Sequence, residues 1–313
     1  MSRLLRLYNL NFLHAEDFQP FTVDGYTFYP IPERQPQRRV TNTSDDILKY
    51  NRRMHLNARV SIPARQRDSV FRRGGKYSRN RRIKFLEDLL MVVSICIGRN
   101  VVPKFYERRL EFPLCSAKHC EIVSRNSTEL NAHLETAIAQ IRESEWQRKY
   151  DNGFHVRAFY NASDIFVAEP RFLADVTIWE YLYYCNNRGM SYDTLRSVSL
   201  NTKINYLVKE YLVDNVSSIP EKCLRIFSDI RHQLSHNGKL PIENPKSPFK
   251  HLGWNGCREY LKLFKRLTQV LVLKTMEIDA FDQLRVFDVR SHLEELLRIG
   301  AVNLFEALDG LEM

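Results

Sequence analysis

The residues best suited to chemistry lie close together in the segment SDIRHQLSHNGKLP, from Ser228 to Pro241. Four residues separate Arg231 from His236. An imidazole transfers protons near neutral pH, and a guanidinium offers a planar, permanently charged fork to two phosphate oxygens. RNA carries its own nucleophile, the 2′-OH. Such a pair therefore suits RNA cleavage to a 2′,3′-cyclic phosphate and a 5′-OH, without a metal ion.

Other polar side chains of this segment could support the pair. Asp229, His232 and His236 are spaced at i, i+3 and i+7, so on a helix they share one face. The candidates for orienting the imidazole or binding the phosphate are His232, Ser235 and Asn237, with Asp229 as a further supporting residue. The alternative is an ordinary solvated helix end, because the carbonyl groups there favour a protonated imidazole.

The segment closes a predicted helix, SSIPEKCLRIFSDIRHQLSHNG, over residues 217–238. Ser218 and Pro220 favour its start, and the Asn-Gly pair at 237–238 favours its end. The apolar stripe expected to face the core consists of Cys223, Ile226, Phe227, Ile230 and Leu234. Arg231 and both histidines fall outside this stripe, so we expect them on the flanks and the outer side of the helix.

With its flanking residues, DIRHQLSHNGKLP resembles the Arg-x4–6-His signature of the HEPN superfamily, the higher eukaryotes and prokaryotes nucleotide-binding domains. Arg231 and His236 fall on the two signature positions, and His232 stands where asparagine is frequent. The glycine after the histidine and the upstream segment LLMVVSICIGRNVVPKFYER are similar to the ApeA-like branch of phage-defence proteins. The resemblance covers about residues 125–300 as a fold and, more weakly, about residues 85–110.

The resemblance implies a bundle of four or five helices and a metal-independent endoribonuclease of anti-phage defence or a toxin. HEPN proteins commonly dimerise, so that two motifs face each other across a two-fold axis. It therefore implies a homodimer, an RNA substrate such as a transfer or messenger RNA, and no cofactor or metal. A regulatory protein or a phage-derived trigger is a further expected partner.

Two alternatives to the nuclease stay open. In the first, the protein binds nucleic acid without cleaving it, and its HEPN-like bundle is only a dimerisation scaffold. In the second, it is a partner subunit that neutralises a separate toxin, which the basic charge of the chain disfavours. Other enzyme classes lack support, because the sequence contains no P-loop, Rossmann fingerprint or Gly-x-Ser-x-Gly motif.

Positive charge is concentrated in the first part of the chain. Residues 1–125 carry 24 Lys and Arg against 12 Asp and Glu, whereas the remainder carries 23 against 25. The tract ARQRDSVFRRGGKYSRNRRIKF, residues 64–85, is strongly basic, and Phe71 and Tyr77 are candidate base-stacking groups within it. We predict that it contacts nucleic acid; a solvated loop is the alternative. Its candidate binding residues are Arg72, Arg73, Lys76, Arg79, Arg81, Arg82 and Lys84.

The hydrophobic pattern predicts an α+β protein of two domains. FTVDGYTFYPIP, residues 21–32, predicts a hairpin around its Asp-Gly pair, and HLNARVSIPA, residues 55–64, a further strand. Helical periodicity begins near residue 84 with one helix, and further helices are expected to start near residues 127, 169, 200, 217, 256 and 289. The predicted domains are a basic N-terminal domain over residues 1–125, with short strands and one helix, and a HEPN-like helical bundle over residues 126–313.

Cysteine usage and hydropathy point to a cytoplasmic protein. The six cysteines are scattered, which is typical of reduced thiols, and the cluster CSAKHC at 115–120 lacks the second ligand pair that a zinc site needs. No apolar run reaches the roughly 18–20 residues of a membrane helix. The segment MSRLLRLYNLNFLHAEDF lacks the features of a signal peptide. We therefore expect no membrane association.

Overall fold

The computed structural model of this chain describes residues 3–10, 12, 15–31, 56–63, 71, 84–103, 120–163, 165, 167–216, 221–238, 240 and 253–280. The chain divides into two compact units, residues 1–160 with 276–278 and residues 161–275 with 279–313. Strands and helices both occur in the first unit, and the described elements of the second are all helices. The predicted α+β class is therefore confirmed. Across the described ranges, no helix is long and apolar enough to cross a bilayer.

The first unit contains an antiparallel sheet in the order β2-β3-β4-β1-β5. Its strands are β1 (Arg3–Tyr8), β2 (Phe21–Val23), β3 (Tyr26–Pro30), β4 (Leu56–Ile62) and the two-residue β5 (Val102–Pro103). In the hairpin of β2 and β3, Phe21 pairs with Phe28 and the two rings stack 4.8 Å apart. The turn between them places Asp24 at φ 50° and Gly25 at φ 82°, which is the left-handed backbone that an Asp-Gly pair adopts readily. The predicted hairpin and the predicted strand at residues 55–64 are thus confirmed.

A buried helix, α1 (Lys84–Ile97), follows the basic tract. Its side chains from residue 85 to residue 97 are all buried, which matches a helix that is apolar on most of its surface. Asp88 is a charged residue among these buried side chains. Its Oδ2 accepts a hydrogen bond from the backbone N–H of Phe71 at 3.3 Å. Gly98, at φ 69°, ends the helix where a Cβ would lie 2.6 Å from the carbonyl oxygen of Cys120. Only glycine fits this position without a shift of the backbone.

Three helices complete the first unit: α2 (Ser127–Arg142), α3 (Ser144–Lys149) and α4 (Phe154–Ala162), the last of which ends at the boundary between the units. The N-cap of α2 is Asn126, whose Oδ1 accepts from the N–H of Glu129 at 2.9 Å. The hydroxyl of Ser127 instead donates to the carbonyl oxygen of Asp17 at 3.0 Å. Ser127 therefore ties the helix to the chain segment before β2.

Five helices form the described part of the second unit. They are α5 (Ala168–Asn186), α6 (Tyr192–Ser197), α7 (Leu200–Val216), α8 (Glu221–Asn237) and α9 (Gly253–Lys274). Helices α5, α7, α8 and α9 match the predicted helices near residues 169, 200, 217 and 256. The core is aromatic: the ring of Phe264 on α9 lies 4.8 Å from Phe172, 5.1 Å from Trp179 and 4.8 Å from Phe227. This cluster joins α5, α8 and α9 and fixes the orientation of α8.

Short elements were missed by sequence reasoning. Strands β1 and β5 and helices α3, α4 and α6 were not expected, and each is too short to show a clear hydrophobic period. The packing of residues 127–160 places α2 and α3 in the first unit, whereas the predicted boundary between residues 125 and 126 follows the changes in charge and pattern. The helix expected near residue 289 lies outside the described residues.

Candidate active site

Helix α8 carries all the predicted catalytic and supporting residues. It forms because its buried face is apolar: Leu224, Ile226, Phe227, Ile230 and Leu234 are at most 4% exposed. This confirms the predicted stripe at four positions and adds Leu224, while the side chain of Cys223 lies outside the described set. The helix ends after Asn237 at Gly238, whose φ is 66° and whose N–H donates to the carbonyl oxygen of Leu234 at 3.0 Å. Arg231 and His236 therefore lie in the last two turns of a firmly packed helix.

The two histidines of α8 are in contact. The ring centroids of His232 and His236 are 4.4 Å apart with 51° between the ring planes. Both side chains are exposed, and neither makes a hydrogen bond to a residue that the structure describes. The predicted sharing of one helix face is thus observed, and it leaves two imidazoles side by side on the exposed surface.

Asp229 lies one turn before His232 on this face. Its side chain is half-buried, and its Oδ2 lies 4.0 Å from Nε of Arg225. Burial raises the pKa of the Asp229 carboxyl, while Arg225 and His232 act in the opposite direction. Arg225, Asp229, His232 and His236 thus form a polar stripe that runs to the helix end.

Arg231 does not share the histidine face. An α-helix turns about 100° per residue, so the five steps from Arg231 to His236 separate their directions by about 140°. Arg231 is half-buried at the flank of the apolar stripe, and its guanidinium makes no hydrogen bond or ion pair with any described residue. The structure therefore brings His232 and His236 together but places the arginine on another side of the same helix.

The remaining supporting residues lie at the exposed helix end. Ser235 and Asn237 are both exposed. The Asn237 amide donates from Nδ2 to Oε1 of Gln233 at 2.7 Å, one turn back along α8. Asn237 is therefore turned along the helix surface toward Gln233, whereas the hydroxyl of Ser235 has no partner among the described residues.

The basic tract lies almost entirely outside the described residues. Arg72, Arg73, Lys76, Arg79, Arg81 and Arg82 are not described, and of Lys84 only its place at the first position of α1 is known. Phe71 was expected to stack on a base, and this prediction is wrong. Its side chain is fully buried, its ring centroid lies 6.2 Å from that of Trp146, and it belongs to the core of the first unit.

Cysteines contribute no metal centre to the described part of the chain. Cys96, Cys120, Cys185 and Cys257 are free thiols and buried, as expected for reduced cysteines in apolar surroundings. Burial, and to a lesser extent Cys120, raises the pKa of the Cys96 thiol to about 12, so this thiol stays protonated. Over the described ranges, no three His, Cys, Asp or Glu side chains are placed to share a metal ion. Residues Cys115 and His119 of the CSAKHC cluster lie outside those ranges.

Comparison with known proteins does not identify this site. No protein-family model, no curated protein and no solved structure matches the chain. The functional interpretation therefore depends on the residues of α8 themselves.

Sequence reasoning missed several buried polar groups. Arg171 and Asp175 form an ion pair inside the second unit, with Nε and Oδ2 2.9 Å apart. His155 is fully buried beside Trp146 and Tyr150. Their sequence signal is weak, because an Arg and an Asp four residues apart are most often on the surface, and a lone histidine is intermediate in burial. Because Arg171, Asp175 and His155 are all buried, we attribute structural rather than catalytic roles to them.

Proposed function

We propose that the protein is a metal-independent endoribonuclease in which His236 transfers protons and Arg231 binds the scissile phosphate. The observation that carries the proposal is the exposed contact between the imidazoles of His232 and His236, 4.4 Å apart at the end of α8. The resemblance of this segment to the HEPN signature supports the same chemistry. It also connects such an enzyme to phage defence or to toxin activity.

The reaction uses groups that the chain supplies. A neutral imidazole takes the proton from the 2′-OH, and the 2′-oxygen forms a bond to phosphorus. The bond from phosphorus to the 5′-oxygen breaks, and a protonated imidazole gives its proton to that oxygen. The products are a 2′,3′-cyclic phosphate and a 5′-OH. The guanidinium of Arg231 would stabilise the negative charge that builds up on the phosphate oxygens.

Base and acid must act on opposite sides of the phosphorus atom, because the attacking and leaving oxygens are in line. Each imidazole reaches about 3 Å to the oxygen that it serves, so the two nitrogens are separated by the whole reacting group. Rings that lie 4.4 Å apart, as in His232 and His236, are too close together to flank a phosphate in this way. One chain therefore supplies one side of the reaction, and a second copy supplies the other.

The direction of Arg231 favours the same arrangement. Since Arg231 points about 140° away from His236 around α8, the two side chains of one chain do not converge on one phosphate. Across a two-fold axis, the arginine of one copy can approach the histidines of the other. The proposed active site is therefore composite, and the protein acts as a homodimer.

The basic tract at residues 64–85 supports RNA as the substrate. It carries nine Lys and Arg against Asp68 alone. Contacts of this kind hold the phosphate backbone without reading sequence. In the proposed enzyme the tract raises affinity for RNA, while α8 provides the chemistry.

The test is to incubate purified protein with total RNA in excess EDTA and to examine the product ends. The proposal predicts cleavage, with 5′-OH ends that polynucleotide kinase labels without prior phosphatase treatment. Shifted RNA with no cleavage would instead favour the non-catalytic nucleic-acid-binding protein. Cleavage that EDTA abolishes would contradict the metal-independent mechanism.

A further inference from the structure

The two exposed imidazoles of α8 have the spacing of a metal chelate. His232 and His236 lie one helical turn apart, on one face, with ring centroids 4.4 Å apart. Neutral imidazole nitrogen is a good ligand for zinc, which it binds at about 2.0–2.1 Å. Two histidines at this spacing can turn one nitrogen each toward the same ion with only side-chain rotation.

We propose that His232 and His236 form a Zn²⁺-binding site, and that zinc bound there switches off the proposed nuclease. The regulatory part of this inference rests on the proposed function, whereas the binding site does not. The histidine pair would then bind two kinds of ligand, RNA and a zinc ion.

The surroundings of the pair favour a cation. His236 lies in the last turn of α8, where the partial negative charge of the helix C-terminus is concentrated. Asp229 adds a carboxylate to the same face, although Arg225 partly offsets it. Arg231 points to another side of the helix, so its positive charge does not occupy the space in front of the imidazoles.

The chain supplies two ligands to this ion. The described residues contain no group of three potential metal ligands, and Asp229 Oδ2 faces Arg225 Nε at 4.0 Å rather than the imidazoles. Both histidines are exposed, so water can fill the remaining positions of a tetrahedral zinc ion. An incomplete ligand set of this kind binds zinc reversibly, which suits a regulatory role better than a structural one.

Zinc and catalysis compete for the same atoms. The lone pair that would accept the proton of the 2′-OH is the lone pair that binds the metal. A zinc-bound imidazole can neither accept nor donate a proton at that nitrogen. The proposed nuclease is therefore expected to lose activity as zinc binds and to recover when a chelator removes it.

Isothermal titration of the full chain with Zn²⁺, after EDTA treatment and buffer exchange, tests the site without reference to activity. Each of His232→Ala and His236→Ala should weaken this binding at least about tenfold, because loss of even an outer-shell partner costs a metal site about that much. The double variant defines zinc bound elsewhere, for example by cysteines. A control variant, Arg258→Ala, should bind within about twofold of the wild type, since Arg258 is an exposed residue of α9 and not of α8.

The outcomes separate this inference from the proposed function. Zinc binding that depends on both histidines supports the site even if no RNA is cleaved. If the protein does cleave RNA, saturating Zn²⁺ should lower the rate at least about tenfold and EDTA should restore it, whereas Mg²⁺, which prefers oxygen ligands, should have no such effect. Equal zinc affinity and stoichiometry in the wild type and the double variant would overturn the proposed site. An active nuclease that zinc saturates without inhibition would overturn the switch.

Discussion

The imidazole rings of His232 and His236 lie 4.4 Å apart at the exposed end of α8. They are too close to act on opposite sides of one phosphate, and Arg231 points away from them around the same helix. From this relationship we propose a composite site that needs two copies of the chain. The same relationship also makes the histidine pair a candidate metal chelate.

A composite site predicts that an inactive chain silences a wild-type partner. The base and the acid come from the His236 residues of the two copies, so a mixed dimer of wild type and His236→Ala lacks one of them and should be inactive. After unfolding and refolding of an equal mixture, only the wild-type dimers, about a quarter of all dimers under random pairing, should cleave RNA, whereas chains that act independently would keep about half of the rate. A monomeric mass by light scattering at micromolar concentration, with activity retained, would exclude the composite site.

The basic tract predicts a steep dependence of RNA binding on salt. The slope of log K against log salt concentration is roughly −0.7 per phosphate neutralised on a single strand. Replacing Arg79, Arg81 and Arg82 by Ala should therefore flatten the slope by about 2 if all three contact phosphates. Superimposable slopes for the triple variant and the wild type would mean that the tract serves another partner.

The buried pair of Arg171 and Asp175 predicts a large loss of stability when only one partner is removed. Arg171→Met leaves a buried carboxylate without its partner, and the free energy of unfolding should fall by about 3–5 kcal/mol. The double variant Arg171→Met/Asp175→Leu should recover most of this loss, because an apolar pair needs no charge compensation. Urea denaturation measures both.

An exposed ion pair provides the matched control for that experiment. Lys274 Nζ lies 2.9 Å from Asp279 Oδ2, and the Asp279 side chain is 63% exposed. Lys274→Met should change the free energy of unfolding by less than about 1 kcal/mol. Equal effects of Arg171→Met and Lys274→Met on the free energy of unfolding would show that burial does not determine how much stability is lost.

His155 predicts loss of stability in acid. Burial lowers its pKa from 6.5 to about 3, with a smaller contribution from Arg157. Between these values the unfolded chain binds a proton that the folded chain does not. Its contribution to stability is therefore complete above pH 6.5 and is lost as the pH falls toward about 3.

The matched variant for this prediction is His155→Phe, which keeps an aromatic ring beside Trp146 and Tyr150 but cannot titrate. Its free energy of unfolding should depend less on pH, by up to about 1.4 kcal/mol per pH unit between pH 6 and pH 4. His133, whose pKa burial also lowers, titrates in both proteins and cancels in the difference. Identical pH profiles would contradict the assignment.

Sequence patterns predicted the long elements well and the local contacts poorly. The stripe of Ile226, Phe227, Ile230 and Leu234 spans more than two helical turns, so both α8 and its buried face could be predicted. Short elements such as α6 contain too few residues for a period to emerge. Phe71 was misplaced because an aromatic residue within a basic tract looks like a stacking group, and only its tertiary contact with Trp146 reveals a core residue.

In the candidate site, too, the positions of residues around the helix could be predicted, whereas the individual side-chain contacts could not. That His232 and His236 share a face follows from their four-residue spacing alone. The turn of Arg231 away from them also follows from helix geometry, once the helix is known to continue through Asn237. Two contacts depend on side-chain rotamers that residue spacing does not determine. They are the hydrogen bond from Asn237 to Gln233 and the ion pair of Asp229 with Arg225.

The ribonuclease proposal is tested most directly by the cleavage rate of one labelled RNA in excess EDTA, measured for the wild type, His236→Ala and Arg258→Ala. The account predicts cleavage by the wild type, a rate at least about 10² lower for His236→Ala, and a rate within about threefold of the wild type for Arg258→Ala, all with unchanged circular dichroism. A His236→Ala variant that cleaves within about threefold of the wild type, or a folded wild-type protein that cleaves no RNA, would contradict it.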